Sequence, residues 1–234
     1  MSTYLAIDTA TEACSVAVFV DGAVRERFEP MQREHTQKLL PMVQRVLDEA
    51  GRSVAQLDGI VCGIGPGSFA GLRIGLGVVK GLALARDLPV AGVSSLAMLA
   101  QRALREPAAK QVAAVIDARM NEVYFGAYGR NAAGLATSLL DDRVCPPDAV
   151  PALEAGAWIG VGTGFGRYEA VLRRRFETGL TRVDATALPH AEDALALGVP
   201  VLEAGRGQSA DTLAPAYLRD RVALTVQERA ALRE

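Results

Sequence analysis

The pattern over Ala13–Val20 is strand-like, a short apolar run precedes it at Tyr4–Asp8, and Val24–Glu29 returns as a third strand. Asp21-Gly22 separates the second and third runs, and both central positions of a two-residue hairpin turn need positive φ. The chain is therefore predicted to open as a three-stranded antiparallel meander. The period then changes. Leu39, Leu40, Val43, Val46, Leu47 and Ala50 recur at helical spacing within 34–50. Thr36 is the expected N-cap of that helix, Pro41 sits near its start, where a missing N–H costs little, and Gly51 stops it. Ile60–Ile64 reads as a buried strand, and a long helix follows it to about Arg86. Val90–Val93 is the next strand, and Ser94 caps a helix reaching about Arg105.

Residues 105–110, Arg-Glu-Pro-Ala-Ala-Lys, mark the expected boundary between two domains, 1–107 and 108–234. A second series follows: strands at Val112–Asp117, Glu122–Tyr128, Leu135–Leu140 and Trp158–Gly162, a Cys145-Pro-Pro-Asp turn with a short helix, and helices at Tyr168–Phe176 and Ala191–Glu203. From Ala204 the chain reads as irregular. Each half is thus a meander followed by α/β units. In duplicate, that pattern resembles the actin–hexokinase–Hsp70 topology: an α/β fold of two related domains, each a mixed sheet flanked by helices.

Composition narrows the function classes. Half of the 234 residues are hydrophobic and the net charge is −2, so there is core enough for this fold and no global attraction to nucleic acid. Cys14, Cys62 and Cys145 share no metal-ligand spacing and read as core or lone thiols of a reducing compartment. MSTYLAID lacks the basic start of a signal peptide, and the apolar run at 74–85 is too short to span a bilayer. A soluble cytoplasmic protein is expected.

The glycine-rich stretches are the first candidates for chemistry. Gly65-Pro-Gly67-Ser-Phe-Ala70 has the spacing of a dinucleotide fingerprint, but Pro66 removes an N–H that a pyrophosphate wants. No Gly-Lys-Ser/Thr occurs. In an actin-like fold, Asp8, Thr9 and Thr11 end the first strand where a carboxylate meets a metal–nucleotide, with Asp117 and Arg119 at the matching place in the second half. Gly162 and Gly164 belong to a second glycine-rich turn. These residues form a candidate nucleotide cleft. Ala118 and Arg119 stand where a phosphate turn wants glycine, which argues for a vestigial one; Arg119 reads either as an anion ligand or as a partner of Glu122. His35 and His190 are the only histidines and make no H-x-x-x-H pair, so no metal site is expected. Arg173–Arg175 reads as a solvated helix face.

Five strings together, LAIDTATEACSVAV (5–18), REHTQKLLPMV (33–43), GIGPGSFAGLRIGLG (63–77), IDARMNEVY (116–124) and VGTGF (161–165), resemble the TsaB/YeaZ family, bacterial dimerisation subunits of the tRNA threonylcarbamoyladenosine complex. The resemblance implies an actin-like two-domain fold. It implies a non-catalytic subunit that pairs with a paralogous threonylcarbamoyltransferase, which places a threonylcarbamoyl group on N6 of the adenosine beside the anticodon. The metal and its H-x-x-x-H pair would belong to that paralogue; the matching stretch here, Val93–Met98, has no histidine. A small ATPase is implied as an assembly partner, so ATP and metal would act in the partners, with tRNA met indirectly. Pairing, or self-pairing as a homodimer, would use the two helices of the first half. Two stripes on the second of them fit this: Leu72, Leu76, Val79 and Ala83 on one side, Gly77, Gly81 and Ala85 on another. The interface is expected at His35, Leu39, Met42, Val46, Ser68, Phe69, Leu72, Arg73, Leu76, Gly77, Lys80 and Gly81. The alternative is an independent actin-fold ATPase using Asp8, Asp117 and Arg119.

Overall fold

The computed structural model describes residues 2–31, 33–176 and 179–219. Strands β1 (Thr3–Asp8), β2 (Ala13–Val20) and β3 (Ala23–Pro30) form the expected meander, turned at Asp21-Gly22 with both residues at positive φ. Helix α1 (His35–Glu49), strand β4 (Gly59–Gly65), helix α2 (Phe69–Leu84), strand β5 (Val90–Ser94) and helix α3 (Ser95–Leu104) follow. β4 pairs in parallel with β1, and β5 with β4, giving a sheet of order β3-β2-β1-β4-β5. The second half repeats this with β6 (Gln111–Asp117), β7 (Val123–Arg130), β8 (Ala136–Cys145), β9 (Trp158–Val161), helix α4 (Thr163–Arg175), β10 (Leu180–Asp184) and helix α5 (Ala191–Glu203). Its order is β10-β9-β6-β7-β8, the same arrangement read from the other edge, with the same parallel and antiparallel pairings. The molecule is two α/β units of actin-like topology.

Local chemistry accounts for most boundaries. The Ser94 hydroxyl accepts from the N–H groups of Leu96 and Ala97, capping α3 as expected, and the Ser68 hydroxyl accepts from Gly71 N to cap α2. α1 begins differently from expectation. Its N-cap is Glu34, which offers no side-chain cap, and Thr36 lies inside the helix. α4 starts at Thr163 rather than Tyr168, so Gly164 and Gly166 are helical and only Gly162 has a positive φ, +105°. β8 runs on to Cys145 through two register shifts, and β10 is an edge strand that the sequence did not announce.

The helices make layers. α1 and α2 bury their apolar sides on one face of the first sheet, in one cluster with Leu5, Ile7, Val16 and Ile60. The other face is covered by α5, from the far end of the chain: Ala191, Ala194, Leu195 and Val199 pack on Tyr4, Ala6, Ala17 and Val61. α3 in turn lays Leu96, Leu99 and Ala100 on the second sheet, whose opposite face carries α4. α3 and α5 therefore form a shared middle layer, tied by Arg102 and Arg105 to the fully buried Asp193 at 3.1 and 2.7 Å. No helix among the described residues is long and apolar enough to cross a membrane.

Candidate functional site

The expected interface residues fall into two groups. His35, Leu39, Met42, Val46, Leu72 and Leu76 are buried in the chain's own structure. The five apolar ones belong to the core beneath the first sheet, and the His35 ring is held by Nε2 against the Ala13 carbonyl at 3.2 Å. They therefore help to position α1 and α2 on the chain's own core, which a polar residue at 39 would break. Ser68, Phe69, Arg73, Gly77 and Gly81 are exposed, and Lys80 is half-buried, donating to the Asp211 carbonyl at 3.3 Å. Leu40 and Leu84, 54% and 55% exposed, widen the apolar part of this outer layer beyond the residues expected there. Leu40 was legible as an apolar residue beside the buried stripe rather than on it.

The glycines of α2 separate along the same line. A Cβ at Gly71 would lie 2.1 Å from the Thr9 carbonyl oxygen, and one at Gly75 would lie 2.4 Å from the Thr9 hydroxyl. Those two glycines let the helix lie on the β1–β2 turn. At Gly77 and Gly81 a Cβ would meet nothing within 4 Å. Among the described residues, nothing requires glycine at either place.

The candidate nucleotide cleft also divides. A cavity of about 450 Å³ lies between the two halves, lined by Thr11, Glu12, Arg33, His35, Ser68, Asp117, Arg119 and Tyr124 among others. Thr11, Asp117 and Arg119 thus come together, whereas Asp8, Thr9, Gly162 and Gly164 do not line it. Asp8 is buried with its carboxylate over Gly63, and that burial pushes its pKa up to about 7. The Thr9 hydroxyl donates to the Gly71 carbonyl at 2.8 Å. Gly162 and Gly164 press against Val115, where Cβ atoms would lie 2.4 and 2.5 Å from it, so they seat α4 on β6 rather than open a cradle.

Arg119 donates to Asp117 at 3.1 Å and, across the cleft, to Glu12 at 3.3 Å; Arg167 joins Asp117 at 3.3 Å. Glu122, its expected partner, pairs instead with Arg219. A metal–nucleotide wants a reachable carboxylate and free backbone N–H groups. Here Asp8 is enclosed, and the Arg119–Glu12 ion pair crosses the cleft. The Gly65–Ala70 turn is sealed likewise, since Ser68 N donates to the Ala10 carbonyl at 2.7 Å and Gly67 lies against that oxygen. Among the described residues, no group of three or more His, Cys, Asp or Glu side chains is placed to hold a metal ion.

Comparison with known proteins gives a consistent set of relatives. The family model described as TsaD, tRNA N6-adenosine threonylcarbamoyltransferase, matches residues 29–155. The chain is 43% identical to the Escherichia coli K12 tRNA threonylcarbamoyladenosine biosynthesis protein TsaB, across 94% of this chain and 95% of that one. It is 39% identical to the Haemophilus influenzae protein of the same name, across 94% of each. Among solved structures, YeaZ from Pseudomonas aeruginosa superposes with a TM-score of 0.86 at 47% identity, covering 93% of this chain and all of that one. The duplicated sheet topology, the shared length and these identities lead to one conclusion: the chain belongs to the TsaB family.

Proposed function

We propose that this chain serves tRNA threonylcarbamoyladenosine biosynthesis as a non-catalytic pairing subunit. It binds a catalytic threonylcarbamoyltransferase paralogue through the outer layer of α1 and α2, with a small ATPase as a further assembly partner and self-pairing through the same layer. The observation that carries the reading is the open space over Gly77 and Gly81. Glycine inside a helix costs about 1 kcal/mol relative to alanine. Two such residues, unneeded for this chain's own packing and flanked by exposed Leu40 and Leu84, suit close approach of a second helix backbone. Val93–Met98, where the paralogue would carry its histidine pair, holds no ligand here, which supports leaving catalysis and metal to the partner. ATP and metal accordingly act in the partner subunits.

The test is Gly81→Leu. A Cβ at this exposed position meets no described atom within 4 Å, so circular dichroism should match wild type and the unfolding midpoint should not fall below it. Binding to the catalytic subunit, read by calorimetry, should weaken at least tenfold. Wild-type affinity in that variant overturns the assignment of this face. Tight Mg-ATP binding by the isolated chain, lost in Asp8→Asn, would establish the independent ATPase instead.

A further inference from the structure

A second exposed surface begins at the N-terminal end of α2. Phe69 is 52% exposed, Tyr217 50% and Met120 49%. The Phe69 and Tyr217 rings lie 6.2 Å apart at 29°. The Arg73 guanidinium sits 3.2 Å from the centre of the first ring and 5.5 Å from the second. Arg73 makes no ion pair among the described residues; it donates to the Phe69 carbonyl at 3.3 Å. Tyr217 is held in place by its own segment. Leu213 is buried in the first core, Ala216 N donates to the Ile64 carbonyl at 2.8 Å, and Arg219 reaches Glu122 at 2.5 Å and the Arg119 carbonyl at 3.4 Å. Gly67 and Tyr124 border both this patch and the cleft, so the surface runs on to Arg33 and Arg119. Arg119, Arg167 and Arg219 are paired there with Glu12, Asp117 and Glu122, whereas Arg33 and Arg73 make no ion pair among the described residues and carry the uncompensated positive charge of this surface.

Exposed rings with a planar guanidinium between them offer π-faces that any unstacked base can cover, and flanking arginines answer the phosphates. A helix of a partner protein would ask for an apolar groove; this patch is aromatic, cationic and open. We propose that the Phe69–Arg73–Tyr217 platform contacts tRNA directly, stacking an unpaired base on an exposed ring with Arg33 toward the neighbouring phosphates. The proposal rests on the reading of the chain as a tRNA-modification subunit. It adds a direct RNA contact and reassigns Phe69 and Arg73, expected at the pairing interface, to it, leaving pairing to the glycine face further along α2.

The experiment measures fluorescence anisotropy of a labelled, unmodified tRNA transcript with the full chain, alone and reconstituted with the catalytic subunit. Phe69→Ala and Tyr217→Ala should each weaken RNA binding about tenfold. Arg73→Lys, which keeps the charge and loses the plane, should also weaken it, and Arg33→Gln should flatten the salt dependence. Unfolding curves at wild-type midpoints exclude a folding defect. RNA affinity within twofold of wild type in both alanine variants overturns the proposal. So does loss of the catalytic subunit by these variants in RNA-free buffer, which makes the patch a protein-docking surface. If wild type never binds the catalytic subunit while the free chain shows the RNA losses, the pairing reading fails and this one stands.

Discussion

Asp8 Oδ1 has no hydrogen-bond partner, and Oδ2 accepts from Ala10 N at 3.4 Å. The carboxylate has room because position 63 is glycine; a Cβ there would lie 1.9 Å from Oδ1. Burial pushes its pKa from 3.8 to about 7 and also raises those of its neighbours Cys14, to about 12, and Cys62, which keeps both thiols protonated. The sign for stability follows. Between about pH 4 and 7 the folded chain keeps a proton that the unfolded chain releases, so stability falls as pH rises through that window and levels off above it. Asp8→Asn has no such proton to lose. Its stability relative to wild type should rise by about 2–3 kcal/mol between pH 5 and pH 8, measured by urea unfolding at the two pH values. A pH-independent difference would mean that Asp8 does not titrate in this range. The sequence marks Asp8 as the end of a strand pointing toward a cleft. That Gly63, on the neighbouring strand, shares its space emerges only from the parallel pairing of β1 with β4.

α2 carries its two roles on opposite sides, and its glycines allow them to be measured separately. Gly77→Ala and Gly81→Ala add a Cβ into open space and remove a flexible helix position, so each should stabilise the free chain by about 0.5–1 kcal/mol. Gly71→Ala and Gly75→Ala drive a Cβ into Thr9 and should destabilise it, by thermal unfolding, despite the same gain in propensity. Equal effects at all four positions would contradict this division. Both stripes of α2 were legible from spacing alone, because Leu72, Leu76, Val79 and Ala83 recur at the helical period. The part played by α1 was not. Its apolar positions 39, 42 and 46 also follow that period, but periodicity says that a face is buried without saying by whom, and the first sheet claims it. α4 was misread for a related reason. Glycines at 162, 164 and 166 look like a loop, yet Gly164 and Gly166 are helical, and Gly164 lets the helix lie close on β6. β10 escaped notice because an exposed five-residue edge strand with apolar residues only at 180 and 183 leaves little pattern.

At the scale of the molecule, the duplicated meander and its crossovers were readable from strand order and turns, whereas the exchange of helices between the halves was not. α5 lies about 170 residues from β2 in sequence yet covers its sheet, with Ala191 N donating to the Ser15 hydroxyl at 2.8 Å. His190, just before it, stacks on Phe28 at 3.9 Å and meets Glu26 at 2.8 Å. The middle layer depends on one enclosed charge. Asp193 is fully buried, and burial raises its pKa against the opposing pull of Arg105 and Arg102. Both arginines belong to α3 or its C-terminal end, and both keep part of their surface in water. Removing them therefore costs them little and strands the carboxylate. Arg102→Ala/Arg105→Ala should lose about 3–5 kcal/mol at pH 7, by urea unfolding. The deficit should shrink as pH falls and Asp193 takes up a proton, because an unpaired buried acid is raised further above its unfolded value. Adding Asp193→Leu removes the stranded charge and should recover part of the loss. If the triple variant is no more stable than the double, the arginines hold the two sheets together by packing and surface attraction, and the buried carboxylate is not the joint between the halves.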